Sequence, residues 1–176
     1  MMVRDARPED VRQIEAVMAP AVAAGTVLPR VVRADDFLVA EDPHGQLVGV
    51  VALAPWSDDV VELGSLVSAL PGRGLGALLV AAAVQEAARR GYSNIVALTG
   101  ISGFFSRLGF LSVADRPWAR ARGCATLPVA EFPALSEAVA NKARRCAACP
   151  RLAGCGQDLL VRRLPLAHPL AAQKVA

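Results

Sequence analysis

Apolar and polar positions alternate and recur along the first 113 residues in a pattern that predicts short strands separated by helices. Val3 to Ala6 reads as a short strand. Arg7-Pro8-Glu9-Asp10 then has the signature of a helix start, with proline and acids in the first turn. Val11, Ile14, Val17, Met18 and Val22 carry the helix forward at helical spacing until Gly25 ends it. Phe37 to Glu41 and Gln46 to Leu53 read as strands around Asp42-Pro43-His44-Gly45, a turn whose Pro and Gly supply the backbone angles of a hairpin. Val60 to Ser68 is a further strand, interrupted by Gly64, and it runs into Pro71-Gly72-Arg73-Gly74-Leu75-Gly76. The Ala-rich stretch Ala77 to Arg90 is a helix, with Gly91 just past its basic end. Ser93 to Thr99 is an apolar strand, Gly103 to Leu108 a short helical stretch, and Gly109 to Val113 a last strand. The predicted order is β α β β β α β α β.

Beyond residue 113 the pattern decays. Arg116-Pro117, Leu127-Pro128 and Phe132-Pro133 interrupt it, Leu135 to Arg145 alone keeps a helical pattern, and Leu159 to Leu164 reads as a final short element. The expected organisation is a core over residues 1–113 and a Cys-containing C-terminal extension over 114–176, packed on that core. No internal repeat is visible. At 176 residues, 54% hydrophobic and 20% charged, the chain suits one soluble globular domain. Its apolar runs fall short of the roughly 18 to 20 residues that a membrane-spanning helix needs. Met1 to Asp10 carries five charged residues and no apolar stretch, unlike a signal peptide, so the cytoplasm is the expected compartment.

Charge is unevenly placed. Residues 1–110 hold 9 basic and 12 acidic side chains, whereas residues 111–176 hold 10 and 4. A solvated basic surface accounts for the tail better than an anion-binding patch does, and nucleic acid is not an expected partner.

The strand, Gly-rich turn and helix at Val60 to Arg90 carry the most chemistry. Consecutive N–H groups in such a turn converge on an anion, and the helix N-terminus adds a favourable dipole. No Gly-Lys-Ser/Thr follows, which excludes a Walker loop, and no G-x-G-x-x-G is present for a dinucleotide fold. A phosphate cradle and a purely structural tight turn remain as the two readings.

Element order and residues together resemble the GCN5-related N-acetyltransferase (GNAT) family, which binds acetyl-CoA. Three passages carry the resemblance: the hairpin ending in Val50 to Leu53, Leu66-Val67 through Arg73-Gly74-Leu75-Gly76-Ala77-Leu78-Leu79, and Phe104-Phe105-Ser106-Arg107-Leu108-Gly109-Phe110. Within the family, Gly25 to Arg30, Phe37 to Glu41, Glu62-Leu63 and Ala97-Leu98-Thr99 are similar to short, single-domain bacterial N-acetylglutamate synthases. The fold this implies is α/β, a mixed twisted sheet splayed at its centre with helices on both faces.

The resemblance implies that the backbone amides of Leu66 and Val67 polarise an acetyl carbonyl. It implies that those of Gly72, Arg73, Gly74, Leu75 and Gly76 bind pyrophosphate, with Phe105 also at the cofactor. Glu62 is then the candidate general base, against a plain strand carboxylate. Arg30 is the candidate contact to a substrate carboxylate, against a plain surface arginine, and Thr99 a further substrate contact. The chain departs from the family at Pro71, where an Arg or Gln usually opens the loop and where proline supplies no N–H. It departs at Phe105, where many members carry a tyrosine acid, and at Gly100-Ile101-Ser102, where long-form synthases carry an arginine.

Cys146-x2-Cys149-x5-Cys155, with Cys124 upstream, has a spacing that suits zinc or an iron–sulfur cluster, against structural or surface thiols. His44 and His168 have no carboxylate or Cys nearby in sequence and read as ordinary exposed histidines. Trp56 and Trp118 read first as packing at the core edge, against lining the substrate opening. The function expected is transfer of acetyl from acetyl-CoA to the amine of a small molecule, an amino acid such as glutamate, which would place the enzyme in arginine biosynthesis; a homodimer is allowed. The competing expectations are an acetyltransferase for an amino-acid-like toxin or antibiotic, and a degraded GNAT-fold binding or regulatory module.

Overall fold

Short apolar runs bounded by turn residues set the strands, several of them buried on both faces, and an apolar stripe sets each long helix. A computed structural model describes residues 1–113, 126–127, 134–136, 139–140, 149 and 155–165. The strands are β1 (Met2–Asp5), β2 (Phe37–Glu41), β3 (Leu47–Pro55), β4 (Val60–Ser68), β5 (Asn94–Thr99), β6 (Leu111–Val113), β7 (Thr126–Leu127) and β8 (Asp158–Arg163). The helices are α1 (Val11–Ala23), α2 (Leu75–Arg89) and α3 (Ser102–Ser106), and a 3-10 turn at Pro8–Asp10 precedes α1. The first nine elements follow the predicted order. The helical pattern expected at Leu135 to Arg145 survives at residues 134–136 and 139–140, the rest lying outside the described residues. Among the described residues no helix is long and apolar enough to cross a membrane.

All eight strands form one sheet in the order β1-β2-β3-β4-β5-β8-β6-β7. β1 to β4 pair antiparallel, β4 and β5 are parallel, and β8 runs antiparallel to both β5 and β6. β8 is the element that the sequence pattern placed in an extension. All six of its residues pair with β5, and Leu160 and Val161 also pair with β6. The sheet itself therefore crosses the boundary expected after residue 113. Leu159, Leu160 and Val161 are fully buried, as a strand covered on both faces requires.

The two faces carry different helices. Ile14 and Met18 of α1 pack on Phe37, Val39, Val50 and Ala52. Leu75, Leu79, Val80, Ala83 and Ala87 of α2 pack on Leu38, Ala40, Val51, Leu53 and Leu63, which alternate with the first set along the same strands. Gly49 lets α2 approach closely: a Cβ there would stand 2.9 Å from Leu79 Cδ1 and 3.2 Å from the Val67 carbonyl oxygen.

The chain's entry into this sheet is pinned by a buried ion network. Asp10 is only 4% exposed. Its carboxylate accepts two hydrogen bonds from the Arg4 guanidinium, at 2.6 and 3.1 Å, and one from the Arg7 N–H at 2.7 Å. Arg4 also donates to Glu41 at 2.8 Å, so one guanidinium ties β1, the start of α1 and the end of β2. The Arg4 hydrogen bonds hold the Asp10 carboxyl below its ordinary range, against the opposing effect of burial. Because the native state favours the charged form, this stabilisation is present above the ordinary value of 3.8 and fades as pH falls below it. Asp10→Ala is expected to cost about 3 kcal/mol by leaving Arg4 short of its partner. Urea unfolding at pH 7 measures that loss, and the deficit against wild type should narrow as the pH is lowered through 4 toward 3.

Candidate functional site

A cleft opens where β4 and β5 part. Their parallel pairing covers only Val60–Glu62 against Asn94–Val96. Past Glu62, β4 continues to Ser68 along β3, while Ala97, Leu98 and Thr99 of β5 continue along β8. Two backbone edges thus diverge without pairing to each other. β4 is also bulged there: Val50 faces Val67 and Ala52 faces Gly64, so Ser65 and Leu66 together oppose Val51. Ser65 adopts φ +47°, the left-handed region that non-glycine residues rarely enter. The extra residue disrupts the regular hydrogen-bonding alternation of β4 at Ser65 and Leu66, just before Val67 resumes pairing with Val50.

β4 leads into an exposed loop whose geometry suits an anion. Gly72 and Gly74 take φ of +76° and +75°, and Gly74 is the residue from which α2 starts. Among the described residues no heavy atom beyond the chain neighbours lies within 4 Å of a Cβ built at either position. Gly74, as N-cap, has no side chain to cap the first N–H groups of α2, the kind of groups that attract a negative charge. Upstream, the Leu70 N–H donates to Ser68 Oγ at 3.1 Å and Pro71 has no N–H, so the loop's donors begin at Gly72. Helix α2 begins two residues earlier than the Ala-rich pattern implied, which brings the Leu75 and Gly76 amides into its first turn.

Glu62 sits at the vertex of the cleft, the last β4 residue paired to β5. Trp56 Nε1 donates a hydrogen bond to Glu62 Oε2 at 2.7 Å; the ring is buried in the core as expected, and this polar contact is what sequence reading did not foresee. The cross-strand pairs Ala54–Glu62 and Ala52–Gly64 place Glu62 on the α1 face. Arg30 lies over that face too: its guanidinium stands 5.2 Å from the Phe37 ring centre and its Nη2 donates to Asp36 at 3.0 Å. Phe37 pairs with Ala52, which pairs with Gly64, so Phe37 lies two strands from Gly64, about 10 Å at ordinary strand spacing. The structure therefore brings Glu62 and Arg30 to one face.

Thr99 is placed differently. It shares a strand face with Ile95 and Ala97, which pack on the α2 side, so it lies on the opposite side of the sheet from Glu62. Its Oγ1 accepts the Ile101 N–H at 3.1 Å, which closes the turn into α3. Phe105 is 3% exposed, its ring edge-on to both Phe104 and Phe110, so it is a core ring close to the cleft rather than an open contact surface. Phe104 reaches the start of α2, 3.5 Å from where a Gly76 Cβ would be. Cys149 and Cys155 are half-buried free thiols, and among the described residues no three His, Cys, Asp or Glu side chains are grouped to hold a metal. Cys124 and Cys146 lie outside the described residues.

Residues 11–110 match the model of the acetyltransferase (GNAT) family. The chain belongs to the GNAT acetyltransferase family. An uncharacterized N-acetyltransferase of Chlorobaculum tepidum is 31% identical over 169 residues, covering 92% of this chain and 96% of that protein. Among solved structures, a Mycobacterium tuberculosis protein in complex with CoA superposes with a TM-score of 0.68 at 23% identity, over 94% of this chain and 100% of that one. The N-acetylglutamate synthase of Neisseria gonorrhoeae, complexed with coenzyme A and N-acetyl-glutamate, gives 0.67 at 24% identity. That match covers 93% of this GNAT chain and 35% of the synthase, so the chain spans about a third of it. At these identities the solved structures establish the shared fold: a mixed sheet, split at its centre, with helices on both faces.

The bulge of this GNAT sheet carries a testable strain. Ser65→Gly is expected to leave urea-unfolding stability within about 1 kcal/mol of wild type, because relief of the left-handed backbone offsets glycine's greater unfolded-state freedom. Ser65→Val, whose branched Cβ tolerates that region worst, is expected to cost about 1 to 3 kcal/mol in the same measurement.

Proposed function

We propose that this acetyltransferase moves the acetyl group of acetyl-CoA to the amine of a free amino acid, glutamate first among the candidates. The observation that carries the reading is the cleft between β4 and β5, with a carboxylate at its vertex and an uncapped helix N-terminus at its mouth. The donor set fits the group: the open loop at Gly72 and Gly74 offers backbone amides and no blocking side chain to a pyrophosphate. When bound, acetyl-CoA supplies a thioester whose carbonyl carbon accepts an amine and whose thiol departs.

The chain's own residues divide the remaining work. The amides of Gly72, Arg73, Gly74, Leu75 and Gly76 hold the anionic end and fix the depth of binding. The amides of Leu66 and Val67, at the bulge of β4, are the donors for an acetyl carbonyl oxygen. Glu62 takes the proton of the acceptor's ammonium, directly or through a water, so that a neutral amine attacks. Arg30, on the same face, meets the acceptor's carboxylate. The gonococcal structure, whose protein is an N-acetylglutamate synthase, supports an amino-acid acceptor. One observation favours an acceptor other than glutamate: Asp36 already shares the charge of Arg30, which lowers the demand for a second carboxylate on the substrate.

Calorimetric titration of acetyl-CoA is expected to show micromolar binding, weakened at least tenfold, or about 1.4 kcal/mol, in Gly72→Val or Gly74→Val. Circular dichroism confirms that α2 persists in both variants. A thiol-release assay over a panel of amino acids and simple amines is expected to show turnover with amino acids. In that assay Glu62→Gln should lower kcat by about 100-fold or more. Arg30→Ala should raise the acceptor KM about tenfold while leaving that of acetyl-CoA unchanged. Absence of thiol release with every amino acid would sink the reading.

A further inference from the structure

The geometry points to Trp56 as the positioning residue for Glu62, held in place by the segment that follows residue 113. This rests on Glu62 being the base. Glu62 is half-buried at the point where its strand loses a neighbour, and a glutamate there has several rotamers to choose from. The 2.7 Å bond from Trp56 Nε1 to Oε2 selects among them. An indole N–H donates and never accepts, so it fixes the carboxylate without competing for the proton that the base must take.

Trp56 is itself over-determined. It closes the β3–β4 turn, its N–H donating to the Val60 carbonyl at 2.8 Å. Its ring is buried in a cluster with Val60, Val96, Val113, Leu135, Leu159 and Val161. Leu135, Leu159 and Val161 all come from beyond residue 113. The chain there is thus a buttress for the catalytic carboxylate: β8 and Leu135 hold the indole, and the indole holds Glu62. A positioning residue at one remove from the reacting atoms is commonly worth 10-fold or more in rate, because small displacements of a base are expensive.

The test uses the full chain and the amino acid that gives the fastest thiol release. Trp56→Phe keeps most of the ring and deletes the donor. It is expected to lower kcat about tenfold or more while the KM for acetyl-CoA stays within about twofold of wild type, since the phosphate loop lies at the other end of β4. A folded Trp56→Phe with wild-type kcat, or with acetyl-CoA KM raised as much as kcat falls, overturns the proposal. The second readout is spectroscopic. The chain has two tryptophans, so Trp118→Phe leaves one indole N–H resonance. Adding Glu62→Gln should move that resonance, because a charged acceptor becomes neutral. A resonance that stays still overturns the proposal, and this arm decides the matter if Trp56→Phe does not fold. Full activity in Glu62→Gln, or no turnover of any amino acid, removes the reading of the base and this inference with it. Loss in Glu62→Gln with none in Trp56→Phe removes the inference alone.

Discussion

The parting of β4 from β5 after three shared positions is the constraint on which the other features depend. A parallel pair that stayed in register to Ser68 and Thr99 would satisfy its backbone internally and leave no room for a ligand. Divergence instead leaves two backbone edges facing a cleft, a condition that proteins usually avoid because unpaired edges recruit other chains. It is sustained here because each strand has a partner on its far side: β3 supports β4 through the bulge, and β8 supports β5 along its whole length.

The rest of the molecule serves that opening from both faces. α2 must begin where β4 ends, and the small residue at Gly49 lets Leu75 and Leu79 dock on the sheet so that the uncapped helix start stays at the mouth of the cleft. On the other face, α1 packs on Phe37, Val39 and Ala52, and the chain leaving it brings Arg30 over Phe37. The ion pairs built on buried carboxylates lie elsewhere. Asp10 is tied by Arg4, which also reaches Glu41 and joins the first strand to the sheet, and Glu86 is tied by the exposed Arg89 and by Arg90 at the far end of α2. The Glu86 carboxyl is held below its ordinary range mainly by the Arg89 hydrogen bond. The cleft between β4 and β5 carries Glu62 at its vertex, with the Trp56 indole donating to its carboxylate.

Local pattern made much of this legible. β2 and β4 fall at the predicted residues because a run bounded by turn residues carries its own limits, and the glycine-rich stretch announced a tight turn because only glycine enters φ near +75° without strain. The site was legible as residue types at spacings. Its spatial grouping was not: Glu62 and Arg30 share a face, whereas Thr99 lies on the other, and alternation reveals that only once pairing and register are known.

The sequence by itself determined the order of elements, the amphipathic faces, the loop and the family, all properties of neighbours along the chain. Tertiary structure alone decided that the short element at residues 158–163 becomes an interior strand of the sheet, because Asp158 to Val161 gain their burial only after β5 and β6 present their edges. It also decided that the Trp56 indole turns to the carboxylate of Glu62. That hydrogen bond joins two sides of a hairpin, and no periodicity within one strand encodes which oxygen a neighbouring strand will offer.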